Sequence, residues 1–177
     1  MTTEIARLTA QNITKKMPPD ELKARILEFF KEQTMCTICT SKNDEPRGTP
    51  LEYFNKEMNL YMIADPGVKI RNIEANPKVC VSIINNVYPD WVGEVWRTVK
   101  AAQVTGEATL IRPEHPEYPE ALEVYHWEPY LKSYGRDPKE QPRVQHIIKV
   151  VPRKIEYSEP ALLLKDYARK QIWEAPE

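Results

Sequence analysis

At 177 residues, 41% of them hydrophobic, the chain is long enough for one domain with its own apolar core. Its 25 basic and 26 acidic residues leave a formal net charge of -1, which excludes a strong field for nucleic acid or an anionic membrane surface. The opening MTTEIARLTAQNITKK lacks the apolar core of a signal peptide and no apolar run approaches a membrane span, so cytoplasmic residence is expected. Three cysteines, an odd count, suit a reducing compartment better than a disulfide framework.

Residues 1–17 are polar and weakly periodic and read as an N-terminal arm that packs on a partner subunit. After Pro18-Pro19, the segment DELKARILEFFKEQ places Leu22, Ile26, Phe29 and Phe30 on one helical face, with acids in the first turn to suit the helix dipole. From Thr34 the period changes to two. TMCTICTS, RGTPLEYF and NLYMIA read as three strands of an antiparallel meander, separated by the turns Asn43-Asp44-Glu45-Pro46 and Asn55-Lys56-Glu57. VKIRNIEAN then reads as a short helix ending at Asn76-Pro77, followed by the strand KVCVSII. A loop with Tyr88, Pro89, Asp90 and Trp91 leads to the long strand WRTVKAAQVTGEATLI, in which Gly106 marks a bulge or bend. HPEYPEALEVYHWEPYLKSYG reads as two helical pieces broken at Pro129, and RVQHIIKVVPRKIEYSE as a strand kinked at Pro152. Turns this short exclude crossovers between the early strands, so a small closed or half-closed barrel is expected rather than a doubly wound sheet.

One constellation carries chemistry. Arg47 and Thr49 lie two apart on a strand and share a face, while Asp65-Pro66-Gly67-Val68-Lys69 is a turn feeding a helix N-terminus. A guanidinium fork, a hydroxyl and helix-terminal amides are what a phosphate monoester needs. Read from the residues alone, the same two cations also suit a solvated surface.

The run Lys69-x-x-x-Ile73-Glu74-x-Asn76-Pro77-Lys78-Val79, preceded by Arg47-x-Thr49-Pro50-Leu51 and Leu60-Tyr61-Met62, resembles the pyridoxamine 5'-phosphate oxidase-like superfamily of FMN-binding split barrels. The resemblance covers roughly residues 20 to 110 and includes Gly106-Glu107-Ala108. It implies a mostly β (α+β) fold, a six-stranded antiparallel split β-barrel with peripheral helices, as one FMN-binding domain over 1–177 with a C-terminal tail at 160–177. It also implies a homodimer with FMN in the subunit groove and oxidoreductase activity on a small molecule. By position, Arg47 and Lys69 become phosphate ligands, and Gly48, Thr49, Pro50, Met62, Ile63 and Val68 line the cofactor. Trp91 and Trp96 become stacking candidates from the other chain, or else dimer-interface packing.

The departures from that family matter equally. Val68 stands where the pyridoxamine phosphate oxidases usually carry a second basic residue, and Glu52 where they place a lysine for the substrate phosphate. A carboxylate there repels such a phosphate, so a different flavin reaction is expected. The deazaflavin F420 is an alternative cofactor within the same fold, a non-catalytic flavin carrier or sensor is an alternative role, and haem is a weaker rival. Cys36 and Cys39 have redox-motif spacing, but on a strand they point to opposite faces and read as packing residues. His115, His126 and His146 form no ligand motif, and Tyr125, Trp127 and Tyr130 suit either a ligand groove or a helix packed on the barrel. Tyr167 to Trp173 reads as a segment that caps the flavin or swaps across the dimer.

Overall fold

A computed structural model describes residues 3–87, 95–125, 127–137, 140, 144 and 146–176, so Trp91 and His126 lie outside the described residues. Helix α1 (Glu4–Ala10) is capped by the Thr3 hydroxyl, which accepts from the Ala6 amide, and it buries Leu8. The rest of the N-terminal segment folds against its own chain. The Met17 amide donates to Gln171 Oε1 at 2.9 Å, and the Ala168 amide donates to the Lys15 carbonyl at 2.8 Å. Helix α2 (Pro19–Glu32) starts at a proline whose missing N–H is harmless in the first turn, and it buries Leu22, Ile26, Phe29 and Phe30 as the periodicity predicts. Each of these side chains contributes about 1.5–3 kcal/mol by leaving water.

Strands β1 (Met35–Lys42) and β2 (Glu45–Glu52) form a hairpin through Asn43 and Asp44, whose φ angles of 52° and 61° are those of the two-residue turn that matches strand twist. At Tyr53 the chain changes partners. Its amide donates to the Thr34 carbonyl at 2.9 Å and its ring is buried. The run read as a single strand therefore splits into β2 and β3 (Phe54–Lys56), and β3 pairs with β4 (Asn59–Ile63). Helix α3 (Val68–Ala75) follows, exiting at Asn76-Pro77, and leads into β5 (Lys78–Ile84). After a short 3-10 turn at Val95–Arg97 come β6 (Ala101–Ile111), α4 (Tyr118–Glu123), α5 (Trp127–Ser133) and β7 (Ile147–Ser158). The helical break falls before α5, and Pro129 sits in the first turn of α5, where it costs no hydrogen bond. A second 3-10 segment, Pro160–Lys165, precedes β8 (Lys170–Glu174).

The strands form one antiparallel sheet in the order β2-β1-β5-β6-β7-β4-β3, with β8 added to β7. The described residues form eight strands rather than the expected six, because β3 separates from β2 and the C-terminal tail contributes β8. The early strands are two hairpins, not a meander: β1 turns to β5 and β4 turns to β7. The sheet curls into a split barrel around a core that includes Ile38, Leu60, Met62, Val81, Val104 and Ile155. A smaller cluster of Tyr61, Ile111, Leu122, Tyr125 and Ile147 seats α4.

The bend that allows curling lies where Gly106 was read as a bulge. The β6–β7 register shifts between Thr105 and Gly106, and a Cβ at Gly106 would lie 2.2 Å from the Val151 carbonyl oxygen. Only glycine fits so close to backbone. The helix-covered side is pinned by a charged group: Arg25 donates to Glu159 twice, at 2.6 Å each, and the buried Tyr157 hydroxyl donates to Glu159 at 2.7 Å. Burial alone would raise the Glu159 carboxyl, but these three donors hold it below the usual carboxylate value. No helix among the described residues is long and apolar enough to cross a membrane.

Candidate functional site

The split of the barrel is a seam between β2 and β4. Among the described residues strand β2 is bonded to β1 alone, so its far side lacks a ladder there. Directly opposed residues of an antiparallel pair share a face. Arg47 opposes Thr40, Thr49 opposes Ile38 and Leu51 opposes Cys36, and these three β1 residues are buried. Arg47, Thr49 and Leu51 therefore lie on the barrel side of β2, and Gly48 and Pro50 on the outer side.

Thr49 carries the sharpest signal. Its Oγ1 is buried and has no hydrogen-bond partner among the described residues. An unsatisfied buried hydroxyl costs about 1–3 kcal/mol, so a structure keeps one where something else satisfies it. Arg47, two residues away on the same face, is exposed.

Helix α3 comes to the same place by docking on β1. The Asn72 side-chain amide donates to Thr40 Oγ1 at 3.1 Å, and that of Asn76 donates to Ser41 Oγ at 3.2 Å. Thr40 is the residue opposite Arg47, and Asn72 lies one turn beyond Lys69. The docking thus places Asn72 of α3 beside Thr40, the β1 residue opposite Arg47. Gly67 is the N-cap and supplies no side-chain cap, so the first amides of α3 have no partner from that source. Lys69 Nζ reaches the Asp65 carbonyl at 3.0 Å on the surface, and Val68 is 39% exposed. Sequence reasoning missed Asn72; the available signal was an amide set within the apolar spacing of Ile70 and Ile73.

The remaining predicted residues divide. Met62 is fully buried, with Sδ 3.9 Å from Cys36 Sγ, so its side chain faces the core. The Ile63 amide donates to the Tyr125 hydroxyl, which donates on to the Tyr61 carbonyl at 3.2 Å. Burial raises the Tyr125 phenol strongly, and the Glu52 carboxylate adds to that rise, which puts Glu52 in electrostatic reach of this hydroxyl. His146, which forms no ligand motif in the sequence, lies at the same turn: its carbonyl accepts from the Ala64 amide at 3.1 Å, and its Nδ1 is buried with no partner among the described residues. Trp96 is half-buried in the 3-10 turn under the Arg97 guanidinium, 5.3 Å from the ring, and Arg97 pairs with Glu4. Within this chain, then, Arg97 ties Trp96 to α1. The aromatic residues of α5 continue from the core outward, Tyr125 stacking on Trp127 at 5.2 Å between centroids and Trp127 meeting Tyr130 at 5.9 Å.

Taken together, an exposed guanidinium and an unsatisfied hydroxyl share the barrel face of β2, and the eight-residue helix α3, which has no side-chain cap, docks on the adjacent strand β1. That donor set is complementary to a phosphate or another compact anion.

Known proteins share this architecture. The chain matches General Stress Protein 26 from Bacillus anthracis at 23% identity and TM-score 0.53, covering 77% of this chain and 93% of that one. It matches an FAD-binding protein from Mesorhizobium loti at 19% identity and TM-score 0.55, covering 77% and 93%, and a heme storage protein from Vibrio cholerae at 14% and 0.56, covering 74% and 89%. These likenesses establish the fold. No curated protein matches the chain significantly. The family model described as pyridoxamine 5'-phosphate oxidase matches residues 22–159, which takes in β1 through β7, the whole seam and α3, and the chain therefore belongs to the pyridoxamine 5'-phosphate oxidase family.

Proposed function

We propose that this chain is an FMN-binding oxidoreductase acting on a small molecule, working as a homodimer in the cytoplasm. The unsatisfied Thr49 hydroxyl at the open seam is the observation that carries the reading. The FMN phosphate is compact and dianionic, and the residues at the seam fit it. Arg47 offers a two-pronged donor, Thr49 Oγ1 a neutral one, and Lys69 with the first amides of α3 a positive helix end. Family membership supports a flavin, as does the likeness in fold to the FAD-binding protein from Mesorhizobium loti.

Bound FMN supplies hydride and single-electron transfer. The chain's own residues hold the phosphate, shape the wall and select the substrate. Tyr125 fixes the Tyr61–Ile63 edge of β4 by accepting from one amide and donating to one carbonyl, which keeps that wall rigid. Glu52, exposed at the end of β2, sets a carboxylate where a phosphorylated substrate would need a cation. Pyridoxamine phosphate oxidation is therefore excluded from the proposal, and an uncharged or cationic substrate is favoured.

The visible spectrum of the protein as isolated tests the cofactor. Flavin bands support the reading; the single band of a deazaflavin or a haem Soret band overturns it. Anaerobic addition of NADH or NADPH tests the enzyme half: bleaching of the flavin, followed by reoxidation on an added acceptor, is expected. A flavin that neither donor reduces makes the protein a carrier or sensor instead.

A further inference from the structure

The outer sheet face holds a pair of cysteines that the flavin reading does not use. Cys39 of β1 and Cys80 of β5 are directly opposed in an antiparallel ladder that runs through Thr37–Ser82, Ile38–Val81 and Cys39–Cys80. Their neighbours Ile38, Thr40, Val79 and Val81 are buried, so both sulfurs lie on the outer face. Cys39 is exposed and Cys80 half-buried. On its other flank Cys39 faces Gly48, which has no side chain to cover it. Cys36 differs in every respect: it is buried against Met62, and burial pushes its thiol up to about 12.

Opposed antiparallel residues have Cα atoms about 4.5–5.5 Å apart, whichever kind of rung they occupy. A disulfide spans Cα separations of roughly 4.4–6.8 Å, so this pair needs no rearrangement of the strands. The rung is also the last of the β1–β5 ladder, while Cys39 pairs on its other side with Gly48 and Cys80 with Thr105.

We propose that Cys39 and Cys80 form a reversible dithiol–disulfide site on the outer face of the sheet, oxidised by a low-molecular-weight disulfide such as glutathione disulfide. The exposed Cys39 thiolate attacks one sulfur of glutathione disulfide, and the first glutathione leaves as a thiolate and takes up the proton that Cys39 gave up. Cys80 then loses its proton and attacks the Cys39 sulfur of the mixed disulfide, expelling the second glutathione as a thiol. Two protein thiols are oxidised by two electrons, and one small disulfide is reduced to two thiols. The order suits the electrostatics. Burial raises the Cys80 thiol and the Cys39 charge adds to it, so Cys80 ionises more readily once the Cys39 charge has been consumed.

The test uses the full chain equilibrated with glutathione buffers of rising oxidised fraction, quenched with N-ethylmaleimide and digested without reduction. The expected product is a linked peptide pair containing Cys39 and Cys80 in a polypeptide that stays single on a non-reducing gel, with Cys36 fully alkylated after unfolding. Dithiothreitol restores all thiols. Cys36→Ala leaves the linkage unchanged, whereas Cys39→Ser and Cys80→Ser each abolish it. A stable glutathione adduct on wild-type Cys39, an interchain disulfide, or both thiols still reduced in fully oxidised buffer would each overturn the proposal.

Discussion

Strand β7 is paired on both sides, with β6 on one and with β4 and then β8 on the other, whereas among the described residues β2 has a partner on one side only. Strand β6 alternates buried and exposed residues from Ala102 to Thr109, and its pairing with β7 shifts at a bulge around a glycine that nothing larger can replace. The seam between β2 and β4 keeps an arginine and an unsatisfied threonine hydroxyl on a strand whose far side has no ladder among the described residues. Closing a sheet satisfies its polar groups and spends them on stability. Leaving it open costs stability locally and presents the same groups to a ligand. Substitutions in the first region should therefore be read in folding, and those in the second in binding.

The largest effect is expected at Gly106→Ala. The new methyl meets the Val151 backbone rather than a movable side chain, and a loss of about 3 kcal/mol follows, checked by urea unfolding. Arg25→Ala comes next, at about 3 kcal/mol or slightly less, because it leaves the buried Glu159 with Tyr157 as its one remaining donor and Arg25 is itself partly exposed. The sign of its pH dependence is fixed. The folded Glu159 value lies below the usual 4.5, so the contribution is fully present above that value and is lost as pH falls through the folded one. Thermal melts of the wild type should fall more steeply below about pH 4.5 than those of Arg25→Ala.

Two smaller effects sharpen the contrast from the seam. Arg47→Ala and Lys69→Ala should each weaken FMN by about 1.5–3 kcal/mol while folding stability moves by less than about 0.5 kcal/mol, since both side chains make little contact without a ligand. Thr49→Val should act in opposite directions on the two readouts. Removing a buried unsatisfied hydroxyl stabilises the free protein by up to about 1 kcal/mol, while FMN affinity falls. Loss of both together would make Thr49 an ordinary structural residue.

The elements legible in the sequence were those specified by neighbours. The spacing of Leu22, Ile26, Phe29 and Phe30 gave α2, Asn43-Asp44 the first hairpin, and Gly106 the bulge. Features that depend on distant pairing were not legible. The strand break at Tyr53 arises because its amide reaches back to Thr34, and β8 forms because the tail finds the free edge of β7. Arg47, Thr49 and Lys69 were found by motif, but Asn72 and the Cys39–Cys80 rung required knowing that β1 lies between β2 and β5 beneath α3, and the place of His146 required knowing that β7 pairs with β4.

The most direct test is a titration of FMN into the cofactor-free protein, followed by flavin fluorescence, for the wild type and for Arg47→Ala combined with Lys69→Ala. Saturable, stoichiometric binding by the wild type, weakened at least about tenfold in a double variant that melts at the wild-type temperature, is the predicted result. Equal affinity in the two proteins, or no binding by the wild type, would contradict the phosphate anchor at the open seam.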